Sequence, residues 1–180
     1  MKSLKYWLLV LGILSCFGCS SSIHEDNRGC SFICDSIQYR VEFMSAGCVR
    51  ILSYPEGDTL VTKRLVVDVE KPTFTDYKWE ETEQAFVFCT HELLVSFDKS
   101  DEAFTFREAS TGKLLLKEKD RRKARNFKRS EVGGEQCLEV TQRFIPTDEE
   151  AIYGLGQYQN GIMNYRGKSV LLLQANMDIV

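Results

Sequence analysis

The residues best suited to chemistry lie toward the C-terminal end of the 180-residue chain. Tyr153, Tyr158 and Tyr165 are interleaved there with the amides of Gln157, Gln159, Asn160 and Asn164 and the guanidinium of Arg166. Aromatic faces can lie against pyranose rings, and neutral amides with one cation can exchange hydrogen bonds with hydroxyls, so the mixture suits a carbohydrate. The same groups can instead plug the end of a β-domain and satisfy buried backbone, and for most of them that structural role is expected. Gly154 and Gly156 flank Leu155, freeing the backbone for positive φ or for close approach to a neighbour.

Other clusters point less far. Asp148, Glu149 and Glu150 offer adjacent carboxylates for acid and base work, yet after Pro146 they read as a solvated turn. Lys117 to Arg129 (KEKDRRKARNFKR) holds eight basic residues. With Glu118 and Asp120 interspersed and Phe127 as its single aromatic, it reads as a solvated hairpin and not as a nucleic-acid surface. The whole chain carries 23 Lys and Arg against 26 Asp and Glu, a net −3 that also speaks against nucleic acid as a partner. Cys30, Cys34 and His24 have no second ligand pair to close a tetrahedral shell, so no metal and no cofactor is expected. In an oxidising compartment Cys30 and Cys34 could form a disulfide, although spacing fixes no connectivity. Cys48, Cys89 and Cys137 sit among strand formers and are expected as small buried hydrophobes.

The elements that must position these groups begin with a leader. Lys2 and Lys5 precede an apolar run from Tyr6 to Leu14, too short for the roughly twenty residues of a membrane span and suited to a secretory signal. Ile13-Leu14-Ser15-Cys16 resembles the bacterial lipobox, which makes 1–15 a signal peptide and Cys16 the lipidated mature N-terminus. Cys19 is the alternative lipidation site, and plain secretion with neither cysteine modified is the blander one. Two or more acyl chains would hold the protein on the membrane of a bacterial cell envelope. Loss of Lys2 and Lys5 takes the net charge from −3 to −5. Residues 16–35 read as a polar tether and 36–180 as a β-domain expected to be incomplete at its C-terminal end.

Within that domain, short apolar alternations recur with turn chemistry between them. They run over Tyr39–Phe43, Val49–Tyr54, Leu60–Val69, Phe86–Phe88, Leu93–Phe97, Phe104–Phe106, Leu114–Leu116, Cys137–Phe144 and Val170–Leu173. Pro55 and Gly57 mark one turn, Asp98 to Glu102 and Ala109 to Lys113 two more. Helical periodicity is nearly absent, and the expected fold is all-β, an antiparallel two-sheet sandwich.

The run Phe144-Ile145-Pro146-Thr147-Asp148-Glu149-Glu150-Ala151-Ile152-Tyr153-Gly154-Leu155-Gly156-Gln157-Tyr158-Gln159-Asn160-Gly161, followed by Met163-Asn164-Tyr165-Arg166-Gly167, resembles the N-terminal domain of family 31 glycoside hydrolases, above all secreted α-xylosidases and α-glucosidases. The hairpins from Leu93 to Glu118 fit the same resemblance. It implies a galactose-mutarotase-like β-sandwich and an α-linked oligosaccharide or glycoside as ligand. Asn176-Met177-Asp178 is similar to the family's Asn-any-Asp element, which implies that Asp178, with Asn176 beside it, contacts the sugar at the cleavage point. A carboxylate accepting two hydroxyl protons makes charge-assisted bonds that can fix ring orientation. The family's two catalytic carboxyls, about 5 Å apart, belong to a (β/α)₈ barrel of about 250 residues, for which this chain has no room. The expectation is an N-terminal domain without its catalytic barrel, holding no catalytic residue and inactive alone. The alternative is a small surface lipoprotein that binds carbohydrate or a protein without chemistry.

Overall fold

A computed structural model describes residues 23–58, 74–121, 127–156 and 160–172. All regular structure among them is antiparallel strand, in two compact units divided between Tyr77 and Lys78.

The first unit holds a four-stranded meander, β1 (His24–Asp26), β2 (Gly29–Cys34), β3 (Ile37–Ser45) and β4 (Cys48–Pro55), in that order. Period-two alternation sends Cys30, Phe32 and Cys34 of β2 and Tyr39, Val41 and Phe43 of β3 to one buried face, where Cys30 opposes Val41 and Phe32 opposes Tyr39. The Phe32 and Tyr39 rings stack at 5.3 Å, and Tyr77 stacks on Phe43 at 5.0 Å. The opposite face carries charge: Glu42 is 2% exposed, with Arg40 Nε and Arg50 Nε each donating to its carboxylate at 2.7 Å. Arg40 also grips both carboxylate oxygens of Asp26 at 2.7 and 2.9 Å. Those bonds from Arg40 hold the Asp26 carboxyl below its usual range despite the opposing effect of burial.

The tether expected over 16–35 therefore does not describe 24–34, which pair as β1 and β2. The alternation Cys30, Phe32, Cys34 supplies the reason, since three apolar side chains on one face gain more by burial than by solvation. Gly29 completes it, because a Cβ there would lie 2.1 Å from the Val41 carbonyl oxygen. Cys30 and Cys34 are both buried and are not joined to each other. Four residues along one extended strand set their Cα atoms about 13 Å apart, out of disulfide reach. The turn after β4 closes with Asp58 N donating to Pro55 O at 3.1 Å, and Gly57 takes its positive φ of 86°.

The second unit is built on a five-stranded meander, β5 (Lys78–Glu81), β6 (Ala85–Cys89), β7 (Leu93–Asp98), β8 (Ala103–Glu108) and β9 (Leu114–Lys117). Phe86, Phe88, Leu93, Val95, Phe97 and Phe104 are buried on one face, with Phe86 opposite Phe97 and Phe97 opposite Phe104. Their rings form a stripe across the sheet, Phe97 meeting Phe104 at 4.9 Å. The hairpins turn on short polar side chains. Thr82 Oγ1 accepts from Ala85 N, Thr90 Oγ1 from Leu93 N, each at 2.9 Å, and an Asp98 oxygen accepts from Ser100 N and Asp101 N.

A separate ribbon, β10 (Phe127–Val132) and β11 (Glu135–Val140), pairs from Phe127 opposite Val140 to Val132 opposite Glu135. The strand expected over Cys137–Phe144 thus begins earlier and stops at Val140. Phe144 instead bridges Glu118, and Ile145 N donates to Lys117 O, so the returning chain prolongs the edge beyond β9. Residues 170–172 are not in a strand, contrary to the reading of Val170–Leu173, and Leu171 and Leu172 are 82% and 63% exposed. The cysteines expected as buried, Cys48, Cys89 and Cys137, are all exposed. Cys89 takes the outward position after buried Phe86 and Phe88, Cys48 opens β4, and Cys137 lies on the ribbon, where every β11 residue faces solvent. Leu60–Val69 lies outside the described residues.

Candidate functional site

The segment that sequence singles out, from Phe144 onward, is organised by side chains bonding to backbone. Thr147 to Glu150 is a turn, as read from the sequence: Glu150 N donates to Thr147 O at 3.2 Å, and Thr147 N donates to Glu150 Oε2 at 3.0 Å. The Glu150 carboxylate is spent on that closure. Arg166 Nη1 donates to the carbonyls of both Thr147 and Glu150, the second at 2.7 Å. Asn164 Oδ1 accepts from Ile152 N at 3.1 Å and from Arg166 N at 3.0 Å, while Tyr165 N donates to Ile152 O at 2.8 Å. Asn160 Oδ1 accepts from Ile162 N at 3.0 Å and from the Tyr165 hydroxyl at 3.3 Å, and Tyr165 is buried. A second turn, with Lys168 N donating to Tyr165 O, uses Gly167 at φ 70°.

Asn160, Asn164 and Arg166 therefore serve the backbone, the role expected for most of this group, and Tyr165 is buried with its hydroxyl on the Asn160 side chain. Several apolar side chains also face outward. Tyr153 is 65% exposed and Met163 81%, with Ile152, Leu155 and Ile162 also exposed. Gly154, Leu155 and Gly156 take φ values of 86°, 64° and 116° in succession, so the backbone adopts the positive φ that the paired glycines permit, and Leu155 adopts it without being glycine. Asn176 and Asp178 lie outside the described residues, as do Gln157, Tyr158, Gln159, Cys16 and Cys19.

A polar cluster unread in the sequence anchors this segment. Glu118 is buried, and its Oε2 accepts from Phe104 N at 2.9 Å while Oε1 accepts from Arg121 Nη2 at 2.8 Å and from Gln142 Nε2 at 2.5 Å. Arg121 Nη2 also donates to Gln142 Oε1 at 2.8 Å. The basic tract that the sequence predicts as a solvated hairpin is thus buried at Arg121, and its end from Phe127 forms β10 of the ribbon. The opposite charges of Glu118 and Arg121, three residues apart within a basic run, were the available signal. Among the described residues of this segment, the Glu150 carboxylate bonds to the Thr147 backbone.

Residues 38–178 match the Glycosyl hydrolase 31 N-terminal galactose mutarotase-like domain. Among solved structures, a GH31 α-xylosidase from Xanthomonas citri is 30% identical with a TM-score of 0.68, over 81% of this chain and 16% of that one. A GH31 α-xylosidase from a soil metagenome, solved with xylose, aligns at 18% identity and TM-score 0.60, over 82% of this chain and 24% of that one. A cycloalternan-forming enzyme from Listeria monocytogenes, solved with a pentasaccharide substrate, aligns at 19% identity and TM-score 0.57, over 82% and 13%. The chain spans less than a quarter of the length of each. Its fold is all-β and antiparallel, of the sandwich class to which that domain belongs. The chain belongs to the family 31 glycoside hydrolases, as their N-terminal galactose mutarotase-like domain.

Proposed function

We propose that this chain is the substrate-shaping N-terminal domain of an α-xylosidase-like glycoside hydrolase, acting on an α-linked oligosaccharide together with a catalytic barrel that these 180 residues do not contain. The observation that carries the reading is the 30% identity to an α-xylosidase across 81% of the chain. The segment after Phe144 supports it, because side-chain hydrogen bonds hold a loop whose outward groups, Tyr153 and Leu155, are of the kind that pack on a sugar ring or on a neighbouring domain. Asp178, with Asn176, is the ligand contact in this reading, accepting hydroxyl protons of the sugar at the cleavage point. Lipidation at Cys16, with Cys19 as the alternative, fixes the protein to the bacterial envelope, where extracellular or periplasmic glycosides are met.

The test is an aryl α-xyloside assay on the purified chain and on the chain fused to a family 31 barrel. The chain alone shows no turnover, and the fusion is active. In the fusion Asp178→Ala lowers kcat/KM by about one to two powers of ten, the loss of one charge-assisted hydrogen bond, while the melting temperature holds. Efficiency within twofold of the parent removes Asp178 from the site, and turnover by the chain alone defeats the division of labour. Mass spectrometry of the mature N-terminal peptide separates acylation on Cys16 from acylation on Cys19 or none.

A further inference from the structure

In the loop from Tyr153 to Gly156, two glycines and one leucine take positive φ in succession, and only the leucine is disfavoured there. Positive φ at Leu155 is strained for a residue with a Cβ and persists only where the surroundings over-determine it. The strongest contacts that fix the stem of this loop come from Arg166. Its guanidinium joins the Thr147 and Glu150 carbonyls of the turn that leads in, and its backbone N–H shares Asn164 Oδ1 with Ile152 N. Glu150 Oε2 accepts from Thr147 N, and Arg166 meets Glu150 at its carbonyl. Two bonds from the one cationic nitrogen Nη1 tie the two carbonyls to each other, which a single bond does not.

We propose that Arg166 is a positioning residue: it presents the Tyr153–Gly156 loop as a preformed ledge for a pyranose ring while making no contact with the sugar itself. The ligand class rests on the function proposed above; the positioning role rests on the hydrogen bonds alone. Preorganisation matters because ordering such a loop at the moment of binding would subtract from affinity.

The test uses the full chain, with Arg166→Gln and Arg166→Lys, and reads amide hydrogen exchange by NMR at Ile152 and Tyr165. Val95 and Phe97 in β7 report on the global fold. In Arg166→Gln, exchange at Ile152 and Tyr165 accelerates by about tenfold to hundredfold, the loss expected for bonds to a charged donor, and β7 is unchanged. Arg166→Lys, which keeps a cation with three donors, recovers most of the protection. Unaltered exchange at Ile152 and Tyr165, or equal acceleration in β7, overturns the positioning role. Titration with methyl α-D-xylopyranoside then tests the ligand class: it shifts the Tyr153 and Leu155 amides in the parent and shifts them less at equal concentration in Arg166→Gln. If the parent shows no shift at those amides, the carbohydrate reading of the ledge fails, whatever exchange says about Arg166.

Discussion

The five-stranded sheet and the segment after Phe144 belong to the same compact unit and are held by opposite means. In the sheet, Phe86, Phe97 and Phe104 gain stability by leaving water, a force without direction that any well-filled apolar set would supply. Past Phe144, few side chains are buried, and shape comes from Arg166, Asn164, Asn160 and Glu150 donating to or accepting from chosen backbone atoms. Burial fixes a layer and tolerates substitution within it; directed hydrogen bonds fix atoms and depend on single residues. The unit uses both, in different places.

The largest effect that sharpens this contrast is expected from Phe97→Ala. It removes the centre of the ring stripe and should cost the second unit about 3 to 5 kcal/mol, read as a fall in its urea midpoint. Glu118→Leu comes next, at about 3 kcal/mol, because Arg121 and the Phe104 amide lose a buried acceptor. If Glu118→Leu were neutral, the polar cluster would be incidental and the two regions would differ less than they do here. Gly29→Ala should cost about 1 to 3 kcal/mol, since the new Cβ meets the Val41 carbonyl in a conformation that alanine resists. The smallest change in thermal stability belongs to Tyr153→Ala, within about 0.5 kcal/mol, because the side chain is largely exposed. A larger fall would mean that the ledge carries structure and not recognition.

Acid tests the charged face of the first unit. Asp26 is held below the usual carboxylate range by Arg40, so its contribution is present above that range and is lost as pH falls through the depressed value. The melting temperature should drop on acidification toward pH 2, and Asp26→Asn should flatten part of that slope. An unchanged slope would show the pair to be energetically silent, as many partly exposed pairs are.

The strands were legible where apolar residues alternate over five or six positions, as at Tyr39–Phe43 and Leu93–Phe97, since period two is a direct imprint of one buried face. They were illegible where the signal was short or its chemistry ambiguous. Lys78–Glu81 shows only Trp79 as an apolar residue and becomes β5 through its pairing with β6, a tertiary cause. His24–Cys34 was masked by the polar residues around Gly29, although Cys30, Phe32 and Cys34 carried the alternation. Exposure of Cys48, Cys89 and Cys137 could not be read from strand-like neighbours, because a thiol fits either face and only register decides. In the candidate site, the glycines foretold the positive φ at Gly154 and Gly156, but nothing in the residue types foretold which amide would meet which carbonyl. The return of Arg166 to Thr147 across nineteen positions is a product of the folded path.

Leu155 has one further consequence, for chemical synthesis and for variation. At φ 64° its backbone is in the mirror image of the region where L-residues are at ease. A D-leucine installed there by ligation of synthetic peptides would be relaxed where the natural residue is strained, while its side chain would leave the backbone in the direction that Hα now takes. For the same reason few natural replacements are open at this position. Glycine relieves the backbone but forfeits the side chain, and asparagine keeps a tolerable backbone but trades an apolar surface for an amide.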